Sequence, residues 1–248
     1  MKGKGSWLFG DDKNWYLDFG SGIAVNILGH SHPALIKALN KPLDVLFVSP
    51  DSSDKAYQKL AKKYAAIETP TWALLLAQAC RSNGFEASIL DTGAERLSLE
   101  QSVQRIDDAK PRLVCLTVYG QNPNSGTTNM IGAIALARSL KESYPEYKIA
   151  IVGSHVSALP LEVLSEDSID YVLLNEGVYA VQNLLRSNLN DEVKKVNGIG
   201  HKLHNRPWLN PPENVVPQDR MDLDLPGYAW DLLPFKNKPL DLSFDVIN

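Results

Sequence analysis

From position 44 onward, short apolar runs alternate with longer segments of helical periodicity. Asp44–Val48 (DVLFV) is almost continuously apolar, as a parallel strand covered on both faces should be, and Pro50 stops it. A polar, lysine-rich stretch runs to Ile67. Pro70 then opens a helix over Thr71–Ser82, which Asn83-Gly84 closes. Glu86–Leu90 is the next strand. Ser98 followed by Gln101 forms a capping box for a helix reaching about Ala109. Leu113–Val118 is a third strand. Met130, Ile134, Ala137 and Leu140 line one face of a helix over Thr128–Tyr144. Lys148–Val152 and Ile169–Leu174 are the fourth and fifth strands. Helices are expected from about Pro160 and over Val178–Arg186.

Strands that alternate with helices form parallel units joined by right-handed crossovers. The pattern predicts an α/β fold, a flavodoxin-like or Rossmann-like doubly wound parallel sheet of five strands. Strand order 2-1-3-4-5 is favoured, with 3-2-1-4-5 as the alternative. The flanks read differently. Ser6–Phe9 and Trp15–Phe19 bracket the turn-forming Gly10-Asp11-Asp12-Lys13-Asn14, a hairpin signal, and a short helical pattern runs from Pro33 to Leu39. Val196–Leu203 reads as one strand of a small appendage. Beyond it Pro207, Pro211, Pro212, Pro217, Pro226, Pro234 and Pro239 punctuate a linker. The expected divisions are an N-terminal fragment over 1–41, a central domain over 42–190, and an appendage with a proline-rich linker over 191–248.

Composition narrows the function. A net charge of −4 and a pI near 5.7 leave no basic face for nucleic acid. No apolar run is long enough to span a bilayer, and no targeting signal opens the chain. Cys80 and Cys115 are the two cysteines. Both sit in apolar stretches, so they read as small buried hydrophobes, and a reducing cytoplasm fits. They cannot ligate an iron–sulfur cluster or an all-cysteine zinc site by themselves. Lys55, Lys59, Lys62 and Lys63 read as a solvated face, and Trp72 as core.

In an open parallel sheet, ligands bind beyond the carboxyl ends of the strands, at the point where strand order reverses. The candidate cofactor-binding residues are therefore Ser49 and Pro50 after the first strand, and Thr117, Tyr119, Gly120 and Gln121 around the end of the third. Gly153, Ser154 and His155 follow the fourth, and Asn175, Glu176 and Gly177 the fifth. Small and glycine-rich loops let backbone N–H groups approach a ligand closely. There is no G-x-G-x-x-G after the first strand and no G-x-x-x-x-G-K-[ST], which disfavours a dinucleotide and excludes a P-loop. The third strand ends without an aspartate, unlike a phospho-acceptor domain. No catalytic residue and no metal ligand is assigned.

Several segments in order resemble the B12-binding domain and following linker of cobalamin-dependent radical SAM proteins. They are Val45-Leu46-Phe47-Val48-Ser49-Pro50, Thr69-Pro70-Thr71-Trp72-Ala73-Leu74, Gly84-Phe85-Glu86-Ala87-Ser88-Ile89-Leu90-Asp91, Pro111-Arg112-Leu113-Val114, Gly153-Ser154-His155, Ile169–Gly177 and Asp224–Pro234. The resemblance implies a corrin lying across the strand ends with its nucleotide tail reaching into the fold. Gly153-Ser154-His155 matches a Gly-Gly-x-His type loop shortened by one residue. Asn175-Glu176-Gly177 matches a Gly-Glu-Gly loop, and asparagine tolerates the left-handed backbone that glycine adopts there. Methylcobalamin and mutase domains carry Asp-x-His-x-x-Gly after the first strand. Here Pro50-Asp51-Ser52-Ser53-Asp54 has no histidine, so cobalamin is expected without a histidine ligand from this loop. His155 is expected to fix its own loop by a hydrogen bond. The C-x-x-x-C-x-x-C signature is absent, so a 4Fe-4S cluster and S-adenosylmethionine would belong to a parent radical SAM domain.

The first forty residues resemble another family. Gly5-Ser6-Trp7-Leu8-Phe9, Tyr16-Leu17-Asp18-Phe19-Gly20-Ser21-Gly22-Ile23-Ala24-Val25 and Leu28-Gly29-His30-Ser31-His32-Pro33 are similar to the N-terminal segment of class III pyridoxal-phosphate aminotransferases of the acetylornithine type. This likeness accounts for His30 and His32 better than metal ligation does. Two family fragments meeting near residues 40–42 imply a chimeric or truncated reading frame. The reading is a cobalamin-binding module of a radical SAM-type, methyltransferase-like parent, without catalysis of its own. The alternatives are an aminotransferase fragment and a Rossmann-like interaction module without cofactor.

Overall fold

The computed structural model describes residues 2–4, 7–9, 11, 13–17, 42–52, 68–119 and 123–233. The helix expected at 33–39, the lysine-rich stretch at 55–63, and Gly120 and Gln121 lie outside the described residues. The chain divides into two compact units, Met1–Pro42 and Leu43–Asn248.

In the first unit, β1 (Lys2–Lys4), β2 (Trp7–Phe9) and β3 (Trp15–Leu17) form an antiparallel sheet in that order. The expected hairpin is the β2–β3 pair, with Leu8 opposite Tyr16, and β1 adds a third strand. Phe9 packs against Trp15 with ring centroids 5.1 Å apart.

The second unit is built on a sheet whose five parallel strands are β4 (Val45–Ser49), β5 (Ala87–Asp91), β6 (Leu113–Val118), β7 (Lys148–Gly153) and β8 (Tyr171–Leu173). They lie in the order β5-β4-β6-β7-β8, which is 2-1-3-4-5. Between them run α1 (Thr71–Ser82), α2 (Leu99–Ala109), α3 (Pro123–Ser143), α4 (Ser154–Ala158) and α5 (Pro160–Leu164), and α6 (Val178–Arg186) follows β8.

The strand period of two sorts side chains between two cores. Val45, Phe47, Leu113, Cys115, Ala150 and Val152 face α1 and α6. Leu46, Val48, Val114, Leu116, Ile149 and Ile151 face α2, α3, α4 and α5. Central strand β6 is buried along its whole length, as its unbroken apolar run requires. The capping box at Ser98 is present. Its hydroxyl accepts the Gln101 N–H, and the Gln101 side chain accepts the Ser98 N–H. Helix α3 begins five residues before the expected start at Thr128, because Pro123 fits the first helical turn, where no N–H is needed.

The sheet does not end at five strands. Residues from Val196 onward, read as a separate appendage, supply β9 (Ile199–Leu203), and β10 (Arg206–Leu209) follows it. Both extend the same sheet antiparallel beyond β8, giving seven strands. The prolines hid β10. His204 and Asn205 both adopt left-handed backbones between Leu203 and Arg206, the geometry of a tight two-residue hairpin. Pro207 pairs with Lys202 on the outermost strand, where a missing N–H faces away from the sheet. Gly200 packs tightly, since a Cβ there would come within 2.6 Å of the Leu164 and Leu209 methyl groups, which would have to shift.

After β10 the chain stays on the domain. Val216 and Ala229 are buried in the α1–α6 core, and Leu225, Leu232 and Leu233 pack against it. Phe47, fully buried on β4, holds one core together. Phe47→Ala is expected to cost about 3–5 kcal/mol in urea unfolding, whereas Ser98→Ala costs about 1 kcal/mol. A Phe47→Ala loss no greater than that of Ser98→Ala would contradict this packing.

Candidate functional site

The strand order reverses between β4 and β6, so the candidate site is sought over the carboxyl ends of β4, β6, β7 and β8. Beside β4, Ser49 is half-buried and Pro50 buried. The Ser49 carbonyl accepts from both the N–H and the hydroxyl of Thr92, which follows β5. The Thr92 hydroxyl in turn accepts the Asp51 N–H at 2.7 Å. Ser52 is buried, donates to the Asn129 carbonyl at 2.9 Å and accepts the Gly132 N–H. A Cβ at Gly132 would lie 2.3 Å from the Asp51 carbonyl, so this glycine is what lets α3 approach the loop.

The β6 end is built around aromatic rings. Thr117 is buried, and its hydroxyl donates to the Val48 carbonyl across the sheet. Tyr119 packs on Trp72 of α1, ring centroids 4.7 Å apart. Burial pushes the Tyr119 phenol well up, with Cys115 and Glu176 adding to the shift. After β7, Gly153 presses so closely on β6 that a Cβ would stand 2.3 Å from the Val118 carbonyl. Ser154 is exposed. The His155 ring is held at 3.1 Å from the Thr127 hydroxyl of α3, the loop-fixing bond anticipated for it.

The loop after β8 reaches α1, β6 and the chain beyond β10. Asn175 and Gly177 both adopt left-handed backbones, φ 55° and 74°, as the sequence led one to expect of Asn175. The Asn175 carbonyl accepts the Tyr119 hydroxyl at 2.8 Å, and the Glu176 carbonyl accepts the Trp72 indole N–H at 3.1 Å. The Glu176 carboxylate accepts the Val216 N–H at 3.0 Å. A Cβ at Gly177 would meet Val152 at 2.9 Å.

Ser49, Pro50, Thr117, Tyr119, Gly153, Ser154, His155, Asn175, Glu176 and Gly177 thus all lie at the carboxyl end of the sheet. Sequence reasoning missed Thr92, Ser52, Thr127 and Val216. None stands in a recognisable motif, and each becomes a neighbour only through packing. Among the described residues, no group of three His, Cys, Asp or Glu side chains is placed to hold a metal ion. No described helix is long and apolar enough to cross a membrane.

A doubly wound parallel sheet with a switch point at β4 and β6 is an α/β architecture of the kind that binds ligands beyond its strand ends. The B12 binding domain family matches residues 57–185, more than half of the chain, and the chain belongs to that family. The aminotransferase class-III family matches residues 1–88, overlapping it over 57–88. Acetylornithine aminotransferase 1 of Bradyrhizobium diazoefficiens is 43% identical over 70 residues, 26% of this chain and 17% of that enzyme. The acetylornithine aminotransferase of Caldanaerobacter subterraneus is 50% identical over 46 residues, 18% of this chain and 12% of its own length.

Among solved structures, the cobalamin-dependent S-adenosylmethionine radical enzyme OxsB with aqua-cobalamin bound is similar with a TM-score of 0.56 and 16% identity. The similarity covers 82% of this chain and 26% of that one. The radical S-adenosylmethionine methyltransferase TsrM of Kitasatospora setae, with cobalamin and a [4Fe-4S] cluster bound, has a TM-score of 0.52 and 16% identity, over 72% and 30%. These structural likenesses are of fold. The chain spans less than a third of each solved structure and less than a fifth of each aminotransferase.

Two predictions follow from the rim. Asp91 is buried at the end of β5, and desolvation raises its carboxyl, outweighing the Ala94 and Gly93 N–H bonds. The folded state then holds this proton to higher pH than the unfolded chain does, so stability falls as pH rises through the folded pKa. Asp91→Asn should be more stable than wild type at neutral pH and converge on it in acid. A constant difference across pH would contradict the assignment. At Asn175, glycine should be tolerated and valine should cost about 1–2 kcal/mol, because the backbone is left-handed. Thermal melts separate the two.

Proposed function

We propose that the chain is a cobalamin-binding module that seats a corrin over the carboxyl ends of β4, β6, β7 and β8 and performs no catalysis by itself. Membership in the B12-binding domain family carries the reading, together with the rim that the fold builds at the switch point. The rim suits a large planar ligand. Gly153 and Ser154 put no bulky side chain above β7. Cobalamin, when bound, would supply an organometallic centre. The protein's residues would orient it and shield it from water.

Pro50-Asp51-Ser52 carries no histidine, and the His155 ring is engaged with Thr127. Bound cobalamin would take no histidine from the loop after β4. Cys80 and Cys115 are buried in the core, and burial pushes both thiols up, which makes them poor thiolate ligands. Cluster chemistry and cleavage of S-adenosylmethionine would come from a parent radical SAM domain. The buried thiols also suit a cytoplasmic setting. The division near residue 42 is retained in this proposal, and residues 191–233, read from the sequence as an appendage and linker, are assigned to the cobalamin-binding domain whose sheet and core they extend.

Hydroxocobalamin added to the purified chain, followed by desalting, tests the reading. Retained corrin at about one per chain with a base-off spectrum is expected. A colourless protein that still melts cooperatively would refute it, and would favour an interaction domain of the same fold.

A further inference from the structure

We propose that Glu176 is a positioning residue that couples the cofactor face to the C-terminal strap, residues 210–233, so that strap docking and cobalamin binding favour one another. The binding half of this statement rests on the cobalamin reading above.

Two adjacent residues carry the connection. On the cofactor side, the carbonyls of Asn175 and Glu176 hold the Tyr119 hydroxyl and the Trp72 indole, and so fix the ring pair beside the end of β6. On the strap side, the Glu176 carboxylate holds the Val216 N–H. The loop itself has little freedom, since Asn175 and Gly177 are both left-handed and Gly177 abuts Val152. A shift of the strap at Val216 is therefore passed to the atoms that hold the rings.

The strap also grips the helix that carries Trp72. The Ala229 N–H donates to the Leu74 carbonyl, two residues from Trp72, and Arg81 at the far end of α1 pairs with Asp231 at 2.8 Å. Between Val216 and Ala229, Asp224 accepts from Tyr179, in the first turn of α6, and accepts from both Nε and Nη2 of Arg220. Ala229 is fully buried and Val216 nearly so, so the strap covers core rather than trailing in solvent. The strap thus holds both ends of the path from α1 through the ring pair to the loop. Anything that stabilises one arrangement of the rings stabilises the docked strap, and by reciprocity the docked strap stabilises that arrangement.

The test uses the full chain and three readouts. They are the Trp72 indole N–H signal, assigned with Trp72→Phe, hydrogen exchange at the Val216 amide, and affinity for hydroxocobalamin. Asp224→Ala alters the strap and touches no rim residue. It should move the Trp72 signal, speed Val216 exchange, and weaken hydroxocobalamin by about five-fold or more. Arg81→Ala, which removes an exposed ion pair, should act in the same direction more mildly. Glu176→Ala should match Asp224→Ala, and Glu176→Gln should restore all three readouts, because a carboxamide oxygen still accepts the Val216 N–H.

An unmoved Trp72 signal in Asp224→Ala overturns the coupling. So does a Glu176→Gln variant as impaired as Glu176→Ala. A moved signal with unchanged hydroxocobalamin affinity overturns the reciprocal half. If wild type takes up no hydroxocobalamin, the cobalamin reading fails instead, and the indole signal and Val216 exchange still decide whether Glu176 joins strap to rim.

Discussion

A parallel sheet has no solvent-facing side. All six residues of β6 are buried, and the strand on either side of it must be covered above and below as well. Helices α1 and α6 cover one face, and α2, α3, α4 and α5 the other. To cover both faces, the chain has to change direction at β4 and wind outward from there. The strand order therefore reverses between β4 and β6, and ligands of open parallel sheets bind beyond the strand ends at such a point. The position of the candidate site is thus a consequence of covering the sheet, and the chemistry of the site is left to the loops.

Those loops are held by hydrogen bonds that run across the ends of the strands. The Thr92 side chain links the ends of β4 and β5, Ser52 links the first loop to α3, and His155 bonds Thr127. The Asn175–Gly177 loop joins α1, β6 and the strap. Close approach does the rest. Gly132 and Gly153 each stand where a Cβ would meet a backbone carbonyl at 2.3 Å, so the loop after β4 and the end of β7 can be drawn tight. A rim of this kind keeps its shape through many small contacts, none of which is itself a ligand-binding group.

Two families overlap in this chain over residues 57–88. The described part of that overlap is α1 and the start of β5, a helix feeding a strand. Such a unit has little family character of its own. Here β5 pairs parallel to β4, and α1 packs on the same core as α6, so these residues serve the doubly wound sheet.

The sequence by itself determined the five parallel strands, their helices, and the Ser98 capping box, because each is written in local periodicity and capping chemistry within about a dozen residues. It also determined that the loops at the strand ends would form the rim, since strand direction follows from the βαβ alternation. The left-handed Asn175 was legible for the same local reason. Strand β10 was not, because Pro207 breaks the pattern of a strand, and its tolerance depends on lying at the sheet's edge. Nor was the strap. Its prolines read as a linker, while Val216, Ala229 and Asp224 gain their meaning from α1, α6 and Glu176, which lie from about 40 to 155 residues away in the chain. Contacts across such separations leave no periodic trace in sequence. They exist only once the sheet has brought the loop after β8 beside the first turn of α1.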